Sequence, residues 1–370
     1  MKTQAQLEDE ISRELKSTEY RVYKKVRLKV LQMVDLMLER EELPSDYWKE
    51  EISGFEYILD ASPLIIKNLR HHCYHITGLR QYEYRRHHVR NKTRLEERYK
   101  HLKRNDPLGL FVPESPLLGG FGFKDDGLMY NVDTIKYYES ILTLYHCGFL
   151  DQYCKGGERK VVLEIGGGWG GFAYQFKTLF PDITYIIIDL PQTLLFSAVY
   201  LQVLFPKAKC LIYNKPNDAI IDKKYDFIFL PHFALPELRT SLDFTINTVA
   251  FQEMTKEQVD IYCNKVYQLG CPKIYSYNRY QNLNNLSLGV LTTIIEKYYR
   301  LELFEASFLQ KTKSGVKKEV NFMQMIKRYL RKNIFSKRVY VFLLKIKNRE
   351  LVVQDKTIDI GYKHYLGTRI

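Results

Sequence analysis

The sequence has no apolar run long enough to cross a bilayer, and its opening segment, MKTQAQLEDEISRELK, lacks the apolar core of a secretion signal. A helical membrane protein is therefore not expected, and a cytoplasmic location is. Cys73, Cys147, Cys154, Cys210, Cys263 and Cys271 are scattered without one Cys-x-x-Cys pair, which argues against both a zinc site and a disulfide framework. No Asp-Asp pair stands at the end of a candidate strand, so no divalent metal is expected.

What is present is the composition of a globular protein, 45% hydrophobic and 27% charged, with a net charge of +13 over 370 residues. A basic surface suits nucleic acid, an anionic membrane or an acidic substrate, and here the charge is unevenly spread.

The chain is organised around residues 160–191. Val161, Val162, Leu163 and Ile165 form a short apolar run ending in Gly166-Gly-Gly168-Trp-Gly170-Gly171, which reads as a buried parallel strand turning into a helix. The helix from Phe172 to Phe180 stops at Pro181-Asp182, and Ile183 to Ile188 is a second apolar strand closed by Asp189, Leu190 and Pro191. Strand, glycine loop, helix and strand with a terminal acid is the unit that binds a nucleoside-containing cofactor, with the acid meeting ribose hydroxyls.

Gly166-x-Gly168-x-x-Gly171 also fits the dinucleotide fingerprint, so a nicotinamide-dependent oxidoreductase is a rival reading. Glu164, inside the first strand, separates the two: it would repel a pyrophosphate and favour the sulfonium and ammonium of S-adenosylmethionine. With Glu164-x-Gly166-x-Gly168-x-Gly170 the sequence resembles the class I S-adenosylmethionine-dependent methyltransferases. The resemblance implies an α/β Rossmann-like sheet with helices on both faces and a cofactor held by Glu164, Gly166, Gly168, Gly170, Asp189 and Leu190. The bland alternative is an ordinary strand–turn–helix whose Glu164 caps something local.

Residues 1–105 read as a helical N-terminal domain, with helix starts at Ser45 and at Ser62-Pro63. Its end is the most basic part of the chain, Arg70-His71-His72 through Arg85-Arg86-His87-His88 to Lys103-Arg104. Interleaved tyrosines permit nucleic-acid binding there, but a solvated helix face is the commoner outcome of such a run. Residues 106–131, with Gly119-Gly120-Phe121-Gly122-Phe123, read as a lid or linker, the two phenylalanines favouring a lid. Residues 132–310 form the cofactor-binding domain. Within it Cys210–Tyr213, Tyr225–Leu230, Leu242–Asn247 and Ile274–Tyr277 are further strands; which of the first two flanks the adenine side stays open. Residues 311–370 read as a basic extension whose Met325–Phe335 stretch could lie on an anionic membrane or dock on its own domain, with a closing strand near Leu351, Val352 and Val353.

Gly119–Phe123, Leu163–Gly170, Ile188–Pro191 and Ile246-Asn-Thr-Val-Ala-Phe251-Gln252-Glu253-Met254 together resemble the sugar O-methyltransferases of bacterial surface-glycan gene clusters. This resemblance implies a sugar hydroxyl on a nucleotide sugar or glycan precursor as acceptor. No nucleic-acid partner is expected, because Asn247-Thr-Val-Ala-Phe251 lacks the prolines of a motif that receives a flipped base. A hydroxyl is a poor nucleophile, and two residues are candidates for its base. His232, at a strand end, has the better ordinary pKa, or else packs over the adenine or caps a helix. Glu253 has the better position by family analogy, or else favours the dipole of the helix starting near Thr255. Gln252 and Asn278 would orient sugar hydroxyls, or else satisfy loop backbone groups.

Overall fold

In a computed structural model, residues 2–85, 89–154, 157–279, 290–306, 309 and 362–370 are described. Hydroxyl side chains start the helical layer. Thr3, Ser17, Ser45 and Ser62 each accept a first-turn N–H at the heads of α1 (Gln4–Glu14), α2 (Thr18–Glu39), α3 (Asp46–Phe55) and α4 (Pro63–Lys67), each such cap contributing about 1 kcal/mol. In α2 the buried residues Tyr23, Val26, Val30, Met33 and Met37 recur every three or four positions, so one apolar stripe faces the protein. The layer continues through α5 (Tyr74–Thr77) and α6 (Val89–Lys103).

Residues 106–131 are more ordered than a linker. Phe123–Asp125 (β1) pairs antiparallel with Leu128–Tyr130 (β2) around Asp126-Gly127. Both turn residues have positive φ, +47° and +78°, as a two-residue hairpin turn that matches strand twist requires. Phe121 and Phe123 pack on Tyr84, with ring centroids 5.3 and 4.9 Å away.

After α7 (Val132–His146) and α8 (Asp151–Cys154) comes the main sheet, built from β3 (Lys160–Ile165), β4 (Ile183–Asp189), β5 (Cys210–Ile212), β6 (Phe227–Pro231), β7 (Phe244–Thr248), β8 (Lys273–Arg279), β9 (Tyr299–Phe304) and β10 (Tyr362–Arg369). Helices α9 (Gly171–Leu179), α10 (Pro191–Leu204), α11 (Lys256–Gln268) and α12 (Thr292–Ile295) join the strands. Spatial order is β5-β6-β4-β3-β7-β8-β10-β9. The first six run parallel, while β10 is antiparallel to both its neighbours. This is the expected α/β Rossmann-like sheet. The chain leaves β3 towards β4 and later returns to β3's other side with β7, so the carboxyl end of β3 is the switch point where such sheets bind ligands. The strand beside β4, left open above, is β6; β5 is an added edge.

One continuous apolar core runs from Tyr23 to Leu366 and includes both the helical layer and the sheet. Helix α2 lies directly on α10. Residues 362–369, within the stretch that the sequence suggests is a basic extension, form an inner strand of the sheet. Gly367 shows why the polar-looking KHYLGTR fits there: a Cβ at this position would stand 2.5 Å from Ile274 Cγ2, so glycine permits β10 to pack. The Met325–Phe335 and Leu351–Val353 stretches lie outside the described residues.

Candidate functional site

At the switch point Gly166, Gly168 and Gly170 all have positive φ, between +54° and +86°, and the loop turns into α9 without a side-chain cap. A Cβ on Gly166 would fall 2.2 Å from that of Ala250, and one on Gly171 2.2 Å from the Trp169 ring. Glycine is thus dictated by backbone hand at the first position and by a folded-back indole at the last.

The loop forms one wall of a cavity of about 360 Å³, which also meets Ile188, Asp189, Leu190, His232 and Glu253. Asp189 ends β4 with both oxygens engaged: Oδ2 accepts from the Gly168 N–H at 2.8 Å and Oδ1 from the Leu190 N–H at 2.7 Å. Burial pushes its carboxyl up to about 7 against those two hydrogen bonds.

Glu164 lies behind the loop instead of on the cavity wall. It is 1% exposed, accepts from the Tyr185 hydroxyl at 3.0 Å, and lies against Gly167, whose Cβ would be 3.2 Å from its Oε2. Burial raises its carboxyl to about 8; Asp189 adds to this and Tyr185 opposes it.

A second chamber of about 770 Å³ adjoins the first. The two share Ser45, Ile76 and Thr77 from the helical layer, Val249, Glu253 and Met254 after β7, and Tyr362 of β10. Glu253 therefore sits where they meet. Its carboxylate has no hydrogen-bond partner among the described residues, and burial together with Asp189 and Glu51 raises it to about 8 against Lys136 and Arg279. Val249, just before, has φ +70°, an uncommon conformation for a β-branched residue and the kind of strain found at ligand sites.

His232 lines the first cavity but not the second. Its Nε2–H donates to the Glu42 carbonyl oxygen at 2.8 Å, its Nδ1 is buried without a partner among the described residues, and burial lowers its pKa against that hydrogen bond. Strand β6 is three ladder spacings from β7, about 14 Å at ~4.8 Å per step. His232 and Glu253 thus follow strands three ladder steps apart, on one cavity.

Gln252 lines the second chamber and accepts the Arg279 N–H at 3.1 Å. Asn278 lines neither chamber. It donates to Asn247 Oδ1 and Ser276 Oγ, both at 2.8 Å, while Asn247 donates to the Ile165 carbonyl at 2.8 Å. Buried amides thus tie the carboxyl ends of β3, β7 and β8 together. No residue of 106–131 lines either chamber.

Sequence reasoning missed a buried ion cluster beneath the site. Arg70, placed above in a basic run, is fully buried. Its Nε donates to Glu114 at 2.8 Å and its Nη2 to Asp133 at 3.1 Å. Lys136, from the cavity wall, donates to the other Asp133 oxygen at 3.0 Å. The guanidinium stacks 3.7 Å from the centroid of Trp169 in the glycine loop. Burial opposes the Arg70 charge, but the two carboxylates more than offset it. Acids at 114 and 133 flanking apolar segments were the available signal that a buried cation was needed.

No protein-family model matches the chain, and no curated protein is similar to it in sequence. Among solved structures, it is similar to Haemonchus contortus phosphoethanolamine N-methyltransferase 2 in complex with S-adenosyl-L-methionine, at 14% identity and TM-score 0.31 over 61% of this chain. The chain spans 52% of that neighbour's length. It is also similar to EvdMO1, at 10% identity and TM-score 0.34 over 75% of this chain and 47% of that one. A third is Bacillus subtilis YcgJ, at 13% identity and TM-score 0.34 over 61% of this chain and 98% of that one.

Proposed function

We propose that the chain is an S-adenosylmethionine-dependent O-methyltransferase acting on a sugar hydroxyl of a nucleotide sugar or glycan precursor. The observation that carries the reaction class is the pair of chambers meeting at Glu253, the smaller at the glycine loop and the larger open to an acceptor. The sugar comes from the motif resemblance alone.

The residues fit the cofactor. At Gly166, Gly167 and Gly171 a Cβ would strike Ala250, Ile187 and Trp169, so only glycine keeps the loop in this shape on the cavity wall, and its surroundings carry carboxylates at Asp189 and Glu253, with Glu164 behind, which suit a cation. A dinucleotide pyrophosphate would meet the same carboxylates as repulsion, so the oxidoreductase reading is disfavoured. Asp189 and the loop N–H groups would hold the ribose side and the His232 end of the cavity the adenine. Bound there, the cofactor supplies an electrophilic methyl group on a sulfonium.

The protein's own contribution is alignment and proton removal. Glu253 accepts the acceptor's hydroxyl proton at the junction of the chambers, and its raised pKa makes it a stronger base than an ordinary glutamate. Positioning by Gln252 and the strained Val249 turn supplies orientation, which can contribute a large part of the rate. Calorimetric titration with S-adenosylhomocysteine, NAD and NADP tests the class. Binding of the first alone is expected, and binding of a nicotinamide cofactor alone would overturn the reading.

A further inference from the structure

Among the described residues, two cations of the larger chamber make no ion pair. Arg80, from the helical layer, and Arg279, at the carboxyl end of β8, both line it. Neither lies within ion-pair distance of Glu51 or Glu253, the chamber's two carboxylates, and Arg80 Nη1 donates only weakly to the Tyr82 hydroxyl, at 3.4 Å. Each guanidinium lies over a tyrosine ring, Arg80 at 5.6 Å from the Tyr74 centroid and Arg279 at 5.0 Å from that of Tyr362. Stacking by the face leaves the N–H edges free, and a guanidinium edge matches two phosphoryl oxygens. His75 Nε2 beside them is buried without a partner among the described residues.

We propose that Arg80 and Arg279 grip a diphosphate ester on the acceptor, so that the larger chamber selects diphosphate-linked acceptors over neutral sugars. Two guanidiniums with no ion pair among the described residues, one from each wall, suit an anion with two separately charged phosphoryl groups better than a single carboxylate. A chamber of about 770 Å³ is large enough for the group that the diphosphate carries as well, being in the range of sites that enclose drug-sized ligands. This deepens the preceding proposal and rests on its assignment of the smaller cavity to the cofactor. The diphosphate could be borne by a nucleotide or by an isoprenoid lipid.

The test is calorimetric titration of the full chain, loaded with S-adenosylhomocysteine, with inorganic diphosphate, uridine diphosphate and farnesyl diphosphate in separate runs. One diphosphate per chain is expected. Arg80→Gln and Arg279→Gln should each weaken it about ten- to a hundredfold, as for loss of a charge-assisted contact, leaving S-adenosylhomocysteine affinity and the melting temperature unchanged. Tighter binding of either organic diphosphate than of the inorganic one would support the proposal and name the ester. Diphosphate binding that survives the double variant, or its absence in a chain that binds S-adenosylhomocysteine, would overturn it, as would no gain from either organic group. Failure to bind S-adenosylhomocysteine would instead sink the cofactor assignment.

Discussion

Replacing Arg70 with methionine would remove the one cation that touches both Glu114 and Asp133 while keeping much of the side-chain volume. Asp133 keeps Lys136 as a partner, so the unmatched charge falls on Glu114, which keeps hydrogen bonds from the Thr134 hydroxyl, at 3.3 Å, and the Asn131 side chain but no cation among the described residues. Breaking a buried pair in this way costs about 3–5 kcal/mol. The protein has one escape, which is to protonate Glu114. Burial already raises this carboxyl against the pull of Arg70. From an ordinary value of 4.5, holding the proton costs about 3.4 kcal/mol at pH 7 but only about 1.4 at pH 5.5, at ~1.36 kcal/mol per unit. In the variant the folded state binds the extra proton, so its stability falls as pH rises. Urea unfolding should therefore show Arg70→Met destabilised by about 3–5 kcal/mol at pH 7, with about 2 kcal/mol of that recovered at pH 5.5. Arg70→Met combined with Glu114→Gln should recover part of the loss at both pH values. A loss below about 1 kcal/mol at pH 7, or one equal at both pH values, would refute the reasoning.

Other consequences can be measured at the site itself. Glu253→Gln should bind S-adenosylhomocysteine normally while turnover drops about 10²–10⁴-fold, and the wild-type rate should climb with pH as a carboxyl near 8 loses its proton; normal turnover would place the base elsewhere. Asp189 and Glu164 titrate near 7 and 8, and a cation favours their ionised forms. S-adenosylmethionine affinity should accordingly increase from pH 6 to pH 8.5 with proton release, detected as buffer-dependent binding heat, and more so than for uncharged-sulfur S-adenosylhomocysteine. Gly166→Ala should weaken cofactor binding at least tenfold through the 2.2 Å approach to Ala250; adding Ala250→Gly should restore part of it, leaving the ~1–2 kcal/mol cost of a left-handed alanine. If the second change restores nothing, the clash is not the cause.

How much of this was legible in the sequence depends on the range of the interaction. Val161–Ile165, the glycines and Ile183–Asp189 declare themselves because strand burial, positive φ and a terminal acid are local demands with local residue signatures. Ser45 and Ser62 announced their helices for the same reason. Arg70 did not, since its neighbours along the chain are basic and the two carboxylates that bury it arrive from segments 44 and 63 residues later. Asn278 looked like a ligand for hydroxyls because nothing local reveals that Asn247 will lie beside it. Choosing between His232 and Glu253 needed the strand order, which separates two ends that composition treats alike. The hairpin at Asp126-Gly127 was readable in principle, but its strands are too short to show alternation.

The place of β10 in the sheet bears on how the protein is made. Strand β10 follows β9 in the chain yet lies between it and β8, so both hang on a segment translated after them. Until it arrives, β8 presents an open edge and β9 has no ladder to join. A nascent chain halted before residue 362 would display that edge at the wall of the larger chamber, where Arg279 stands, and unpaired parallel edges of this kind attract other chains. Among the described residues, it is therefore the pairing of β10 that closes the β8 edge and gives β9 its place in the sheet.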